Sequence, residues 1–165
     1  MTQRVSLSIE QWMALRQGGV EAPPIWFTVV GGSMRPLIRV NRDKVMLVSV
    51  DPQSIRVGDI VLFPGRFRSA NYCLHRVYRL DGDRVQTCGD ANPTPDGWFP
   101  RARILGRVQL IQRGKHTIDC DDPKWRKRAA RWVALRRLRP LLMLPHRVVD
   151  KAERIMKARG FHGNT

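Results

Sequence analysis

Cysteine is scarce in this chain, acidic residues are outnumbered, and no apolar run is long. The cysteines Cys73, Cys88 and Cys120 are odd in number and show no paired metal-type spacing. They support neither a disulfide framework nor a zinc site, and a reduced, cytosolic setting is expected. No stretch of 18 apolar residues occurs, so no membrane-spanning helix is expected. The N-terminus has no basic region leading into an apolar core and a small-residue cleavage site, so no secretory leader is expected either. Internal repeats and low-complexity segments are missing. Tyr72 and Tyr78 are the only tyrosines, which leaves a strand-rich body without a clear aromatic platform for stacking nucleic-acid bases. No cofactor and no metal are expected.

Positive charge is what the chain has in excess: 30 Lys and Arg against 14 Asp and Glu, a formal net charge of +16. It is unevenly spread, since residues 1–122 carry 17 basic and 12 acidic side chains while residues 123–165 carry 13 and 2. The end of the chain therefore supplies most of the basicity, as an appended segment meeting phosphate-bearing surfaces would. A length of 165 residues suits one domain with a real core plus appendages. The expected division is an N-terminal helix and linker over 1–22, a body over 23–119 and a basic helical tail over 120–165.

Residues 7–18 read as a short helix. Ser8 caps it with Gln11 three residues on, Leu7 and Trp12 hold staple positions, and Gly18 follows its end. Ile9, Trp12 and Met13 share one face, which suits packing on the body. Short apolar runs bounded by turn residues then follow at 25–30, 44–50, 59–63, 72–80, 84–88 and 103–111, without helical periodicity between them. This spacing predicts an antiparallel sheet coiled into a small barrel or sandwich. Asp81-Gly82 marks a hairpin that lays the strand carrying His75 beside the one leading to Gly89-Asp90. After Asp119-Cys120-Asp121-Asp122-Pro123 the pattern turns helical, with Trp125, Ala129, Trp132 and Val133 among many arginines. Pro140 and Pro145 break that run, and a last helix is expected over 148–158.

The chemistry centres on Gly31-Gly32-Ser33-Met34-Arg35-Pro36. A β-branched and aromatic strand precedes it, two glycines allow a sharp bend that exposes Ser33, and Pro36 is expected to hold the segment extended. A serine hydroxyl is a weak nucleophile and needs a base, and histidine is the side chain that ordinarily titrates near neutrality. A carboxylate must then orient the imidazole. His75 and the pair Asp90/Asp96 stand at the ends or edges of predicted strands and supply these types in order. His116 and His146 read as surface histidines.

Four blocks carry a resemblance. Gly32-Ser33-Met34-Arg35-Pro36, then Val57-Gly58-Asp59-Ile60-Val61-Leu62-Phe63, then Leu74-His75-Arg76-Val77, then Gly89-Asp90-Ala91-Asn92 with Asp96 beyond them, together resemble the signal peptidase I group of serine peptidases. The wider group includes the self-cleaving repressors of the SOS response. Most bacterial members use a lysine base, whereas the His-Arg-Val block looks like the endoplasmic-reticulum, archaeal and sporulation-type branch. The resemblance, over about residues 26–111, implies a mainly β fold of the signal-peptidase type. It implies Ser33 as nucleophile, His75 as general base, and Asp96, with Asp90 as the alternative, as the orienting carboxylate. Gly32, Met34 and Pro36 would border the substrate, a precursor or leader peptide bound as an added strand and cut after small residues. Asp59 is expected to fix a turn beneath the active strand. Two departures stand out: Gly31 occupies the place where many relatives carry a serine of the oxyanion hole, and the transmembrane anchor of the relatives is not found.

Two other readings stay open, a nucleic-acid-binding β-barrel and a catalytically inactive peptide-binding relative. The basic stripe of residues 124–139 suits an anionic bilayer, a partner protein or simple packing on the body. The expected location is cytoplasmic, or peripheral at the inner face of the membrane.

Overall fold

Ile60, Val61, Leu62 and Phe63 form an unbroken apolar run because both faces of their strand are covered. Ile60 and Leu62 join a cluster with Trp12, Met34, Ile38, Val45, Leu47, Val108 and Ile111. Val61 and Phe63 join Val77, Val85, Phe99 and Ile104 on the other side. A strand buried on both faces needs no polar alternation, and this one, β3 (Ile60–Phe67), lies inside the sheet.

The computed structural model describes residues 8–67 and 70–138. Besides β3 it contains β1 (Ile25–Thr28), β2 (Asp43–Val48), β4 (Ala70–Asp81), β5 (Arg84–Cys88), β6 (Phe99–Pro100), β7 (Gly106–Arg113) and β8 (His116–Asp119). The helices are α1 (Ile9–Gln17) and α2 (Pro123–Ala134). The fold is mainly β, with all eight strands in one antiparallel sheet of order β1-β2-β7-β3-β4-β5-β6 and β8 paired to β7. The sheet does not close into the expected barrel: among the described residues β1 and β6 end the path without pairing to each other. β6 is only two residues long and includes Pro100, which has no N–H to offer a ladder.

α1 begins at the expected capping box. Gln11 N–H donates to the Ser8 hydroxyl at 3.2 Å, and Ser8 N–H donates to the Gln11 side chain at 2.9 Å. Trp12 and Met13 are buried, and the Trp12 indole donates to Pro23 O at 2.6 Å, tying helix to linker. Leu7, the other staple residue, and the helix expected over 148–158 lie outside the described residues. The strand expected from Arg103 starts instead at Gly106, because Arg101–Arg103 coil into a short 3-10 turn closed by Ile104 N–H on Arg101 O.

Two compact units divide the chain, Met1–Val133 and Ala134–Thr165. α2 thus belongs, up to Val133, with the sheet, past residue 120 where a separate tail is expected. In the second unit the described residues form a 3-10 turn, Leu135–Leu138. Asp122 caps α2 by accepting from the N–H groups of Lys124 and Trp125 at 2.8 and 3.1 Å. Ala129 and Val133 are buried and Trp125 packs on the core, so the apolar stripe of α2 faces the sheet. Gly58 admits this approach: its φ is +98°, and an added Cβ would lie 3.3 Å from that of Ala129. Among the described residues no helix is long and apolar enough to cross a membrane.

Asp121 staples α2 to β7. It accepts a two-pronged bond from Arg107 at 2.8 and 2.9 Å and a third from Arg126 at 2.6 Å. The Arg107 bonds, helped by Arg126 against the opposing effect of burial, pull its carboxyl from 3.8 down to about 2. A lowered folded pKa stabilises above the ordinary value and is lost as pH falls through the folded one. Asp121→Asn should therefore cost about 1 kcal/mol at pH 7, screening at this partly exposed site keeping it small. Urea unfolding should also show a shallower loss of stability between about pH 4 and pH 2 in the variant. Superimposable acid limbs would remove this role.

Candidate active site

β1 delivers the chain through Val29 and Val30 to Ser33, and there the backbone coils. Arg35 N–H donates to Gly32 O at 3.2 Å and Ile38 N–H to Met34 O at 2.9 Å. The extended segment expected beside Ser33 is thus replaced by successive turns. The reason lies in the core: Met34 and Ile38 are 1% and 0% exposed, and one turn of coil points both inward where an extended chain would splay them. The far end of this loop is pinned by Asp43, fully buried, whose carboxylate accepts from Arg39 N–H at 2.9 Å and from Arg113 at 2.6 Å. Burial pushes the Asp43 pKa up, but the bonds from Arg113 and Arg39 outweigh it and hold the carboxyl below its usual value. Arg113 also donates to Leu37 O at 2.5 Å.

His75 lies on β4 opposite Val61 and edge-on to the Phe63 ring, centroids 6.0 Å apart. Its Nδ1 meets Asp96 Oδ2 at 2.7 Å. The same oxygen accepts from the Thr87 hydroxyl at 2.6 Å. Asp96 is fixed to β5 by its own backbone, since Asp96 N–H donates to Thr87 O at 2.8 Å and Gln86 donates to Asp96 O at 3.1 Å. A carboxylate oxygen accepts, so the imidazole proton belongs on Nδ1 and the lone pair on Nε2. This is the tautomer a general base requires.

Ser33 and His75 line the same cavity, of about 620 Å³, with Gly31, Met34, Asn92, Phe27, Val29, Leu62 and Tyr72 among its other walls. Of the three residues expected to border a substrate, Met34 lines the cavity, whereas Gly32 and Pro36 are not among its walls. Gly31 is exposed, with nothing within 4 Å of where a Cβ would sit. Cys73 also lines the cavity; burial first, and Asp96 second, raise its pKa, which keeps the thiol protonated. His116 is exposed on β8, and His146 lies outside the described residues. Among the described residues no three His, Cys, Asp or Glu side chains gather as a metal site.

Asp90, the alternative carboxylate, is not on the imidazole. It is buried against Arg76, which donates to it twice, Nε at 2.9 Å and Nη2 at 2.8 Å, and to Gly58 O at 2.7 Å. Burial disfavours the guanidinium charge, yet the Asp90 carboxylate more than restores it, so the Arg76 pKa is raised. The loop that Asp90 anchors reaches the serine: Ala91 N–H donates to Ser33 O at 2.8 Å. Gly89 leaves no room for a side chain, a Cβ there falling 2.8 Å from Ser33 O. Asp59 closes the turn under β3 by accepting from Arg56 N–H at 2.9 Å, while its backbone bonds Val77 on β4. Thr87 and Arg76 have roles that the sequence reading does not assign. Arg76 carries a signal, a charge inside an apolar strand; Thr87 carries none.

Comparison with protein-family models, with curated proteins and with solved structures finds no match.

Asp90→Asn should strand the Arg76 guanidinium without its counter-charge and destabilise the protein by about 3 kcal/mol. Adding Arg76→Met should recover part of that loss, because the guanidinium stranded without its counter-charge is then gone. Chemical unfolding of the two variants checks this; a double variant less stable than the single one would contradict it.

Proposed function

We propose that this protein is a serine endopeptidase of the signal peptidase I type, cutting precursor or leader peptides after small residues. The observation that carries the reading is the His75 Nδ1–Asp96 Oδ2 contact of 2.7 Å in the wall of the cavity that Ser33 also lines. In the proposed reaction Ser33 Oγ attacks the scissile carbonyl carbon and its proton passes to His75 Nε2. The tetrahedral adduct collapses as His75 returns that proton to the leaving amine, and the peptide's acyl group stays on Oγ as an ester. Water then attacks the ester, again giving a proton to His75, and the acid departs as Oγ is reprotonated. Asp96 stabilises the imidazolium in both halves. With glycine at position 31 only backbone donors, the Ser33 N–H among them, serve the oxyanion. Losing one such donor costs on the order of 10²–10³ in rate where it has been measured, so slow or specialised turnover is expected.

The peptide would add to β1, an end strand that runs directly into the cavity wall at Val29, Val30 and Gly31. A peptide series with alanine before the cut tests the reading. Ser33→Ala should abolish cleavage, and Asp96→Asn should lower kcat by about 10³–10⁴ while the fold survives. Cleavage by Ser33→Ala would end the proposal. Peptide binding without cleavage in the native protein would favour an inactive relative, and binding of nucleic acid alone a nucleic-acid-binding role.

Residues 123–165 are proposed to hold the enzyme at an anionic bilayer. Since the apolar stripe of α2 is packed on the sheet, attachment there rests on charge, from exposed Lys124, Lys127, Arg128 and Arg131. Each basic residue near such a surface adds about 1 kcal/mol, reduced by salt. Sedimentation with phosphatidylserine-containing vesicles should show salt-sensitive binding that falls when these four become glutamine. Equal binding to neutral vesicles would count against it.

A further inference from the structure

Asp90 does not serve the imidazole, yet its loop holds the backbone of Ser33, and its carboxylate takes a third donor from far along the chain. The Trp132 indole N–H of α2 donates to Asp90 Oδ1 at 2.8 Å, beside the Arg76 Nε bond of 2.9 Å to the same oxygen. We propose that Trp132 is a positioning residue for Ser33, acting through Asp90 and the loop of residues 89–92. The inference rests on the peptidase reading and assigns α2 a part in it.

The path is short and each link is tight. Arg76 holds Asp90 from the β4 side, and Trp132 holds it from the helix side, so the carboxylate is fixed in two directions. Asn92 N–H closes the loop on Gly89 O at 3.0 Å. Ala91 N–H then grips Ser33 O, and the Gly89 backbone lies so near that oxygen that no side chain would fit there. On the next residue of the same loop, Asn92 forms part of the cavity wall. Arg76 is adjacent to His75 on β4, so the base and the nucleophile are referred to one buried carboxylate. Indole suits the task, since it donates and cannot accept, and it offers no charge to compete with Arg76.

Trp132→Phe keeps an aromatic ring on α2 and removes the donor. Asp90 stays paired to Arg76, so the loop keeps that anchor and loses the bond from the helix side. Misplacement of a reacting group by about 1 Å costs on the order of 100-fold. The expected result, with the peptide that the native enzyme cleaves, is a kcat lowered about 10- to 100-fold with KM little changed. Unchanged kcat in a folded Trp132→Phe protein would overturn the proposal and leave the peptidase reading standing. No cleavage by the native protein would instead remove the peptidase reading, and this inference with it. Should the variant not fold, the native protein answers the question. A peptide aldehyde adds reversibly to Ser33, Oγ bonding to the aldehyde carbon as the carbonyl oxygen gains a proton. On that addition the Trp132 indole N–H resonance should shift, and an unmoved resonance would overturn the proposal.

Discussion

The buried pair of Arg76 and Asp90 is the interaction on which the rest of the site depends. A guanidinium removed from water is costly unless its donors are filled, and here two go to Asp90 and one to Gly58 O. Satisfying them draws three parts of the chain together: β4, the turn before β3 and the loop after β5. His75 occupies the residue before Arg76, and Ser33 is held by the residue after Asp90. The electrostatic requirement of one side chain thereby sets the positions of two others that it does not touch.

Around this pair the molecule arranges a division of labour between two carboxylates. Asp90, tied to Arg76, shapes a loop; Asp96, tied to Thr87 and His75, orients a ring. Both lie in the stretch between β5 and β6, and both are aspartates near glycine or proline, so composition alone does not distinguish them. What separates them is which face of β4 each meets. His75 and Arg76 are consecutive on a strand and point to opposite sides, so each recruits its own acid.

Much of this was legible in residue types. The capping box of α1, the Asp81-Gly82 hairpin and the bend before Ser33 are local signals that need only near neighbours. Ser33 and His75 stood out by residue type, whereas residue types left Asp90 and Asp96 level, and it is the fold that puts His75 on Asp96. The turns after Ser33 were not legible, since they depend on Met34 and Ile38 seeking one core. β8 also escaped notice: three of its four residues are exposed, so no alternation betrays it, although Gly114-Lys115 between β7 and β8 is a turn signal. The stripe of α2 could be seen, but not what it faces. That choice was made by Gly58, far from the helix in sequence, and by the bonds of Asp121, just before it, to Arg107 on β7.

β7 pairs with β2 along its length, with β3 at its start and with β8 at its end. Arg113 closes the loop that bears Ser33 only when β7 exists, and residues 107 and 121 dock α2 only later still. A chain emerging from its N-terminus during synthesis would thus display Ser33 well before the loop that grips it and the β7 residue that pins its own loop are made. Ser33 comes early in the sequence and its fastenings come late. By order of assembly the site stays unformed in the nascent chain and is completed by the last segments to pack.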